Sequence, residues 1–351
     1  HLTHDPNDPG SLSDNYITGM TADRSGNLWI ATRSGGVNRW DQTKRSFVRY
    51  PHGLTNKTGT SGPFITSLME DHAGVLWIGT RYNGLSLLDK ARKEFSYRFH
   101  DSENPFSLSS NRIFPIYEDS GGTVWIGTYD NGLNRYDRAT ARFHRYYHDP
   151  EEPDSLSHNF VLSIHEDTRL GFYWIGTNGG GLNRFEPMTR TFRCYTTAEG
   201  LPNNVVYSIL DDADGYLWLG TNNGLCRFDP ETGACLNYDE ADGLQSNEFN
   251  YNAQYKSQKG ELFFGGVRGF NTFFPGTVSP NPHKPPVVIT DFYLFNRPVP
   301  IGKGPDGRVI LKRSITATRT LRLKHGDNFF TFRFAALNYI SPQQNRYAYK
   351  M

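Results

Sequence analysis

The chain has 351 residues, with 37 Lys and Arg against 36 Asp and Glu, a formal net charge of +1. Only 21% of residues are charged and no basic or acidic block stands out, which excludes the electrostatic footprint of a nucleic-acid or polybasic membrane partner. Aromatics at 14% and 35 glycines, about 10% against a usual ~7%, point to a turn-rich, aromatic-packed β protein, with length for two domains or for one large repetitive domain and a small one.

One phrase organises most of the chain. Leu/Val/Tyr-Trp-Ile/Leu-Gly/Ala-Thr recurs at Trp29, Trp77, Trp125, Trp174 and Trp218, and Leu262-Phe263-Phe264-Gly265 puts Phe263 in the same slot, at spacings of 48, 48, 49, 44 and 45 residues. An acidic turn ending in Gly precedes each Trp copy, as in Glu118-Asp119-Ser120-Gly121-Gly122, and Asn-Gly-Leu or a variant, an Asn-Arg-aromatic-Asp phrase and a Phe-x-x-Tyr stretch follow. Within residues 111–147 the alternating apolar runs predict four strands near Ile113–Glu118, Val124–Thr128, Leu133–Asp137 and Phe143–Tyr147. Four antiparallel strands per 40–50 residues is the period of a β-propeller blade, and no 3.6-residue apolar period supports a helical solenoid.

The tryptophans explain why such units must stack. A buried Trp removes ~150–250 Å² from water, a gross ~4–6 kcal/mol, and a lone four-stranded sheet has no second layer to cover it. They are therefore read as core rather than as a sugar-stacking platform. His4-Asp5-Pro6 aligns with His148-Asp149-Pro150, so the chain is expected to begin at the tail of a preceding blade. The expected architecture is all-β, with six four-stranded blades in residues 1–280, part of a seven-bladed ring. Prolines 275, 280, 282, 285 and 286 lead into residues 281–351, read as the first half of a small β-sandwich containing the run Phe329–Phe334.

Chemistry is sparse. Cys194, Cys226 and Cys235 match no CxxC spacing; a Cys226–Cys235 bridge is open, with buried free thiols the preferred reading. The recurrent acidic pairs, such as Glu70-Asp71 and Asp211-Asp212, are read as turn-forming carboxylates that accept backbone N–H groups, not as acid/base catalysts. His4, His52, His100 and His148 repeat every 48 residues on successive blades, too far apart to share a metal. His165-Glu166-Asp167-Thr168-Arg169 fails the HExxH pattern, Asp212-Ala213-Asp214-Gly215 lacks the remaining calcium ligands, and there is no GxSxG or phosphate loop. No catalytic residue, metal or cofactor is expected.

A repeat supplies its own comparison: residues fixed in every blade serve the blade, while residues that vary at an exposed loop slot are free for a ligand. The link between second and third strands varies, and its tips should converge on one face near the axis. The candidate ligand-binding residues there are Arg33, Arg81, Tyr82, Asn83, Tyr129, Asp130, Asn178, Asn222 and Arg268. Planar Tyr and Arg beside amides suit a polar sugar. Asn15, Asn111, Asn159, Asn204 and Asn247, just before each inner strand, recur and are read instead as turn caps.

The phrases Ile164-His165-Glu166-Asp167, Trp125-Ile126-Gly127-Thr128 and Asn131-Gly132-Leu133-Asn134-Arg135-Tyr136-Asp137 resemble the two-component regulator propeller repeat. Residues 243–250 and 265–271 are similar to the last blade before that family's "three-Tyr" Ig-like domain, and residues 332–339 and 345–350 resemble that domain's opening half. The resemblance implies a ligand-sensing region in the periplasm, part of a membrane receptor that senses oligosaccharides and signals as a homodimer. It implies a membrane tether and a cytoplasmic histidine kinase or diguanylate cyclase in segments this chain does not contain, and no enzyme in this chain. A protein-interaction scaffold and a polysaccharide-active propeller enzyme are the alternatives; the enzyme would need an acid/base cluster at the axis that breaks the repeat, and the sequence shows none.

Overall fold

The computed structural model describes residues 1–53, 58–278 and 286–337, and the chain divides into two compact units, His1–Thr277 and Val278–Met351. The first is a β-propeller of six antiparallel sheets, here sheets 1 to 6, spanning residues 17–50, 65–98, 113–146, 161–195, 206–238 and 249–273. In each, the strands pair in chain order, and the first strands pack in a cycle, each on the next, with that of sheet 6 returning to that of sheet 1. In sheet 3 the strands are Ile113–Glu118, Val124–Thr128, Leu133–Asp137 and Arg142–Tyr146. Sheet 6 departs from the expected four: it has three strands, and Phe274-Pro275 turns the chain into a short helical turn, Pro275–Thr277, where the other repeats carry Phe-x-x-Tyr.

Each sheet is locked by its acidic turn. One oxygen of the aspartate accepts backbone N–H groups of the turn, as Asp71 does from Val75 at 2.8 Å. The other takes the indole N–H of the same sheet's tryptophan: Trp29 to Asp23 at 2.9 Å, Trp77 to Asp71 at 2.8 Å, Trp125 to Asp119 at 2.9 Å and Trp218 to Asp212 at 2.8 Å. Trp174 reaches Asp167 at 3.4 Å, across a turn one residue longer. Sheet 6 changes both partners together: Phe263 has no N–H to satisfy, and Ser257 replaces the aspartate six residues earlier. Burial works to raise the pKa of Asp71, but bonds from Trp77, Val75 and Arg138 outweigh it and hold the carboxyl below its ordinary value.

The glutamate beside the aspartate serves the next interface. Glu70, Glu118 and Glu166 each reach back to accept a turn N–H of the preceding sheet, from Arg24 at 2.6 Å, His72 at 2.8 Å and Ser120 at 2.7 Å. The tryptophans lie in the same interfaces, Trp77 among Val124, Ile126, Tyr136 and Phe143 of sheet 3, and Trp125 against Ile175, Phe185 and Phe192 of sheet 4. Close approach is set by the glycine after them: a Cβ on Gly127 would lie 2.6 Å from Val161 Cγ1 of sheet 4.

The recurrent histidines and asparagines shape the links between sheets. Nδ1 of His4, His100 and His148 donates to the carbonyls of Leu12, Leu108 and Leu156, while their backbone N–H groups reach Asn15, Asn111 and Asn159. Asn204 and Asn247 take the N–H of Thr197 and Glu240 in the same way, so these asparagines cap loops. The long links fold along the outer edge of the sheet that follows, where Phe143 N–H donates to Phe106 and Arg145 grips Ser107 and Leu108, which covers that edge.

Between sheets 6 and 1 the interface is open, with a cleft of about 720 Å³. Leu28 is 38% exposed there, whereas its counterparts Leu76, Val124 and Leu217 are 0, 0 and 2% exposed. Across the cleft Phe270 is 65% exposed, whereas Leu133 and Leu182 in its slot are fully buried. Thr18 Oγ1 and Gln254 Oε1, on the two facing strands, are buried without hydrogen-bond partners. Sheet 1 also carries Ala22 where sheets 2 to 4 have the back-reaching glutamate.

The second unit holds a three-stranded antiparallel sheet, with Val287–Leu294 between Arg297–Pro298 and Phe330–Ala336, over a cluster of Phe292, Leu311 and Ile315. The described residues show this one sheet; the expected sandwich residues 338–339 and 345–350, and Pro280, Pro282 and Pro285 of the linker, lie outside them. The three cysteines are free thiols, with Cys226 buried. Among the described residues no helix is long and apolar enough to cross a membrane.

Two outcomes are expected. In a double-mutant cycle, Asp212→Ala and Trp218→Phe each destabilise the propeller, and the pair is coupled by about 1–3 kcal/mol in urea unfolding, because each single change strands a buried partner. Joining a copy of residues 111–144 directly to His1, which keeps the 48-residue register of His4, His52, His100 and His148, raises the melting temperature and lowers binding of an apolar dye by covering the cleft faces.

Candidate functional site

All six sheets start at the same end of the propeller, where the link between second and third strands also returns. The tie is a repeated hydrogen bond: the first link residue donates its N–H to the carbonyl of the residue just before the first strand. The pairs are Arg33 to Tyr16, Arg81 to Phe64, Tyr129 to Arg112, Asn178 to Phe160, Asn222 to Val205 and Val267 to Glu248, at 2.9–3.3 Å. Each sheet thus presents two adjacent side chains at the mouth of the axis, one from each segment.

These pairs form an aromatic and guanidinium cluster on the side of sheets 1 to 4. Arg81 lies 4.5 Å from the Tyr129 ring centroid, 5.1 Å from Phe114 and 5.8 Å from Tyr82. Arg112 covers Tyr129 at 3.6 Å and pairs with Asp130 at 3.3 Å. Arg33 sits 5.1 Å from Tyr16 and 5.6 Å from Phe64. Phe160 packs on Tyr129 at 4.3 Å and edge-on against Phe114 at 4.7 Å. Each guanidinium over a ring is worth ~0.5–2 kcal/mol, more as water is excluded.

The floor of the mouth comes from sheet 6. Its first strand bulges between Phe249 and Gln254, with Asn252 at a φ of 59°, and the bulge crosses the axis. Asn252 Nδ2 donates to the Thr66 carbonyl of sheet 2 at 2.7 Å, and the Tyr251 ring packs 5.5 Å from Phe114 of sheet 3. Burial raises the Tyr251 pKa, with Tyr16 adding to the rise and the charges of Arg81 and Arg33 opposing it. On the side of sheets 4 to 6 the mouth is more polar. Tyr207 donates to Asn222 Oδ1 at 3.2 Å, and burial and then Glu248 push the Tyr207 phenol up.

The candidates read from sequence divide on this geometry. Arg33, Arg81, Tyr82, Tyr129 and Asp130 form or border the cluster. Asn178 and Asn222 lie on the polar side. The Asn83 side chain turns against Gly62 of the loop before sheet 2, and Arg268 pairs with Glu240 at 3.7 Å. Tyr16, Phe64, Arg112, Phe160 and Tyr251 were not among the candidates. The signal for the first four was present, since the residue after each capping asparagine or its equivalent varies from blade to blade as the link tips do. Among the described residues no group of three or more His, Cys, Asp or Glu side chains could hold a metal.

Residues 11–34, 59–82, 107–130 and 200–223 match the two component regulator propeller pattern, each stretch covering the first two strands of sheets 1, 2, 3 and 5. The chain carries two component regulator propeller repeats. It is similar to histidine kinase P4 of Formosa agariphila, 38% identical over 152 residues, which is 43% of this chain and 11% of that protein. Among solved structures it resembles two extracellular domains from B. thetaiotaomicron assigned to hybrid two component systems. One has a TM-score of 0.65 at 22% identity, over 80% of this chain and 37% of that one; the other has 0.61 at 23%, over 95% and 43%. Virginiamycin B lyase from Staphylococcus aureus shares the fold at a TM-score of 0.55 and 14% identity, over 79% of this chain and 87% of that one. At these identities the structures establish a common fold. The chain spans about a tenth of the curated relative's length and well under half of each extracellular domain.

Proposed function

We propose that this chain is the ligand-sensing part of a membrane receptor of the two-component kind, acting in the periplasm, and that its ligand is an oligosaccharide held at the mouth of the propeller. The repeats and the extracellular neighbours support the receptor reading. The observation that carries the ligand reading is the cluster at the mouth, where Tyr82 and Tyr129 offer ring faces beside guanidiniums and amides. Tyr82 is 60% exposed although it sits over two arginines, so its face is open to a ligand. Flat faces edged by fixed donors are what a sugar ring, apolar on its C–H faces and hydroxylated at its rim, requires.

The receptor signals as a pair, and its output is a histidine kinase, as in the curated relative. A ligand moves such a pair only through different affinity for its two arrangements, so the relevant quantity is a differential binding energy.

Thermal unfolding against a panel of plant, algal and host oligosaccharides tests the reading. A ligand at 100 times its Kd adds about 2.7 kcal/mol to stability. A selective rise that disappears in Tyr82→Ala, a change at an exposed ring that leaves the core intact, is expected. If no sugar raises the transition and a protein partner does, the chain is an interaction scaffold instead.

A further inference from the structure

Charge at the mouth is unevenly matched. Arg112 has its own counter-ion in Asp130. Arg33 and Arg81, from adjacent sheets, form no ion pair among the described residues; ring faces hold them instead. Arg81 Nε is buried without a hydrogen-bond partner. Arg33 lies 5.6 Å from the ring of Phe64, the residue whose carbonyl takes the Arg81 N–H, which sets the two arginines at neighbouring places on the mouth.

At the opposite end of the sheets Arg184 and Arg227 also lie over rings, 4.4 Å from Phe172 and 3.7 Å from Tyr216, while two other arginines are matched with carboxylates. Arg92 is bound to Glu70, and Arg138 bridges Asp71 and Glu118 at 2.9 and 2.8 Å. Carboxylates near the mouth are engaged elsewhere or stand apart. Asp14 accepts both the N–H and the hydroxyl of Ser34, and the N–H of Tyr16, which together hold its pKa low against burial. Glu248 lies just before the first strand of sheet 6 and acts on Tyr207 of sheet 5. The Arg81 guanidinium, half-buried and with no anion beside it, is costly to hold there unless an anion arrives from outside, and Arg33 on the adjacent sheet adds a second, exposed positive charge.

We propose that Arg33 and Arg81 bind an acidic group of the ligand, so that the oligosaccharide sensed here is anionic, carrying a uronic-acid carboxylate or a sulfate ester. The proposal rests on the reading of the mouth as a saccharide site. The rings of Tyr16, Phe64, Phe114 and Tyr129 lie 4.5–5.6 Å from the two guanidinium carbons, and a guanidinium is the side chain suited to the planar, bidentate contacts that these oxyanions make. The sugar ring that bears the acid then falls against Tyr82.

Calorimetric titration of the 351-residue chain with four probes tests it: a neutral cello-oligosaccharide, an oligogalacturonate, a sulfated galactan oligosaccharide of equal length, and inorganic sulfate. One acidic oligosaccharide is expected to bind at least 10-fold more tightly than the neutral one, with affinity falling as salt rises. Which of the two binds identifies the acid. Arg81→Gln and, separately, Arg33→Gln should each weaken that binding about 10- to 100-fold, the range for a lost charge-assisted hydrogen bond. Arg33 is exposed, so its variant folds even where Arg81→Gln does not. Equal binding of the neutral sugar, or full affinity in both variants, overturns the acidic-ligand proposal and leaves the sugar sensor standing. Inorganic sulfate binding as tightly as the sulfated sugar makes the mouth a simple anion site and overturns it too. Binding of no saccharide at all defeats both readings.

Discussion

A buried tryptophan with a buried carboxylate on its indole nitrogen is the unit from which the propeller is assembled. The ring supplies apolar area that a single sheet cannot cover, which forces the next sheet to pack against it. The N–H would be stranded in that interface, and the aspartate of the acidic turn removes the conflict while also closing the turn. Each sheet is therefore complete only when its neighbour is present. The glutamate beside the aspartate ties the same turn to the sheet before it, so the acidic pair serves two adjacent interfaces at once.

That arrangement separates the two ends of the propeller by role. Turn chemistry is fixed at the end where Asp23, Asp71, Asp119, Asp167 and Asp212 sit, and Arg92 and Arg138 pair with carboxylates there. At the other end the backbone bond between link and first strand is kept in all six sheets while the two side chains it brings together change. The scaffold is thus indifferent to what those positions hold. Sheets 1 to 4 place Tyr16, Arg33, Phe64, Arg81, Arg112, Tyr129 and Phe160 there, and the sheet 6 bulge closes the floor beneath them.

Much of this was legible in the sequence, because a six-fold repeat acts as its own comparison. The strands of residues 111–147 fall within a residue of their expected bounds, since Gly and Asp punctuate them and the apolar alternation fixes their faces. The capping role of Asn15, Asn111 and Asn159 followed from their recurrence. The Asp–Trp bond was not seen, although Ser257 and Phe263 change together in sheet 6 and mark the pair. Tyr251 and Asn252 were out of reach for a different reason. They act through a bulge that carries the strand across the axis, and a register shift leaves no mark in a pattern of period two. The fourth strand of sheet 6 was expected from the repeat alone, where Pro275 opposes it.

Hydrogen exchange of the six indole N–H groups, followed by NMR on ¹⁵N-tryptophan-labelled chain, tests the central claim most directly. The account predicts slow exchange for Trp29, Trp77, Trp125 and Trp218, faster exchange for Trp174 with its longer bond to Asp167, and the fastest for Trp40, which is half-buried and outside the repeat phrase. Removing Asp71 should release the Trp77 proton first. If the five repeat indoles exchange as fast as Trp40, or if Asp71→Ala leaves Trp77 protected, the carboxylate does not hold the ring and the account is wrong.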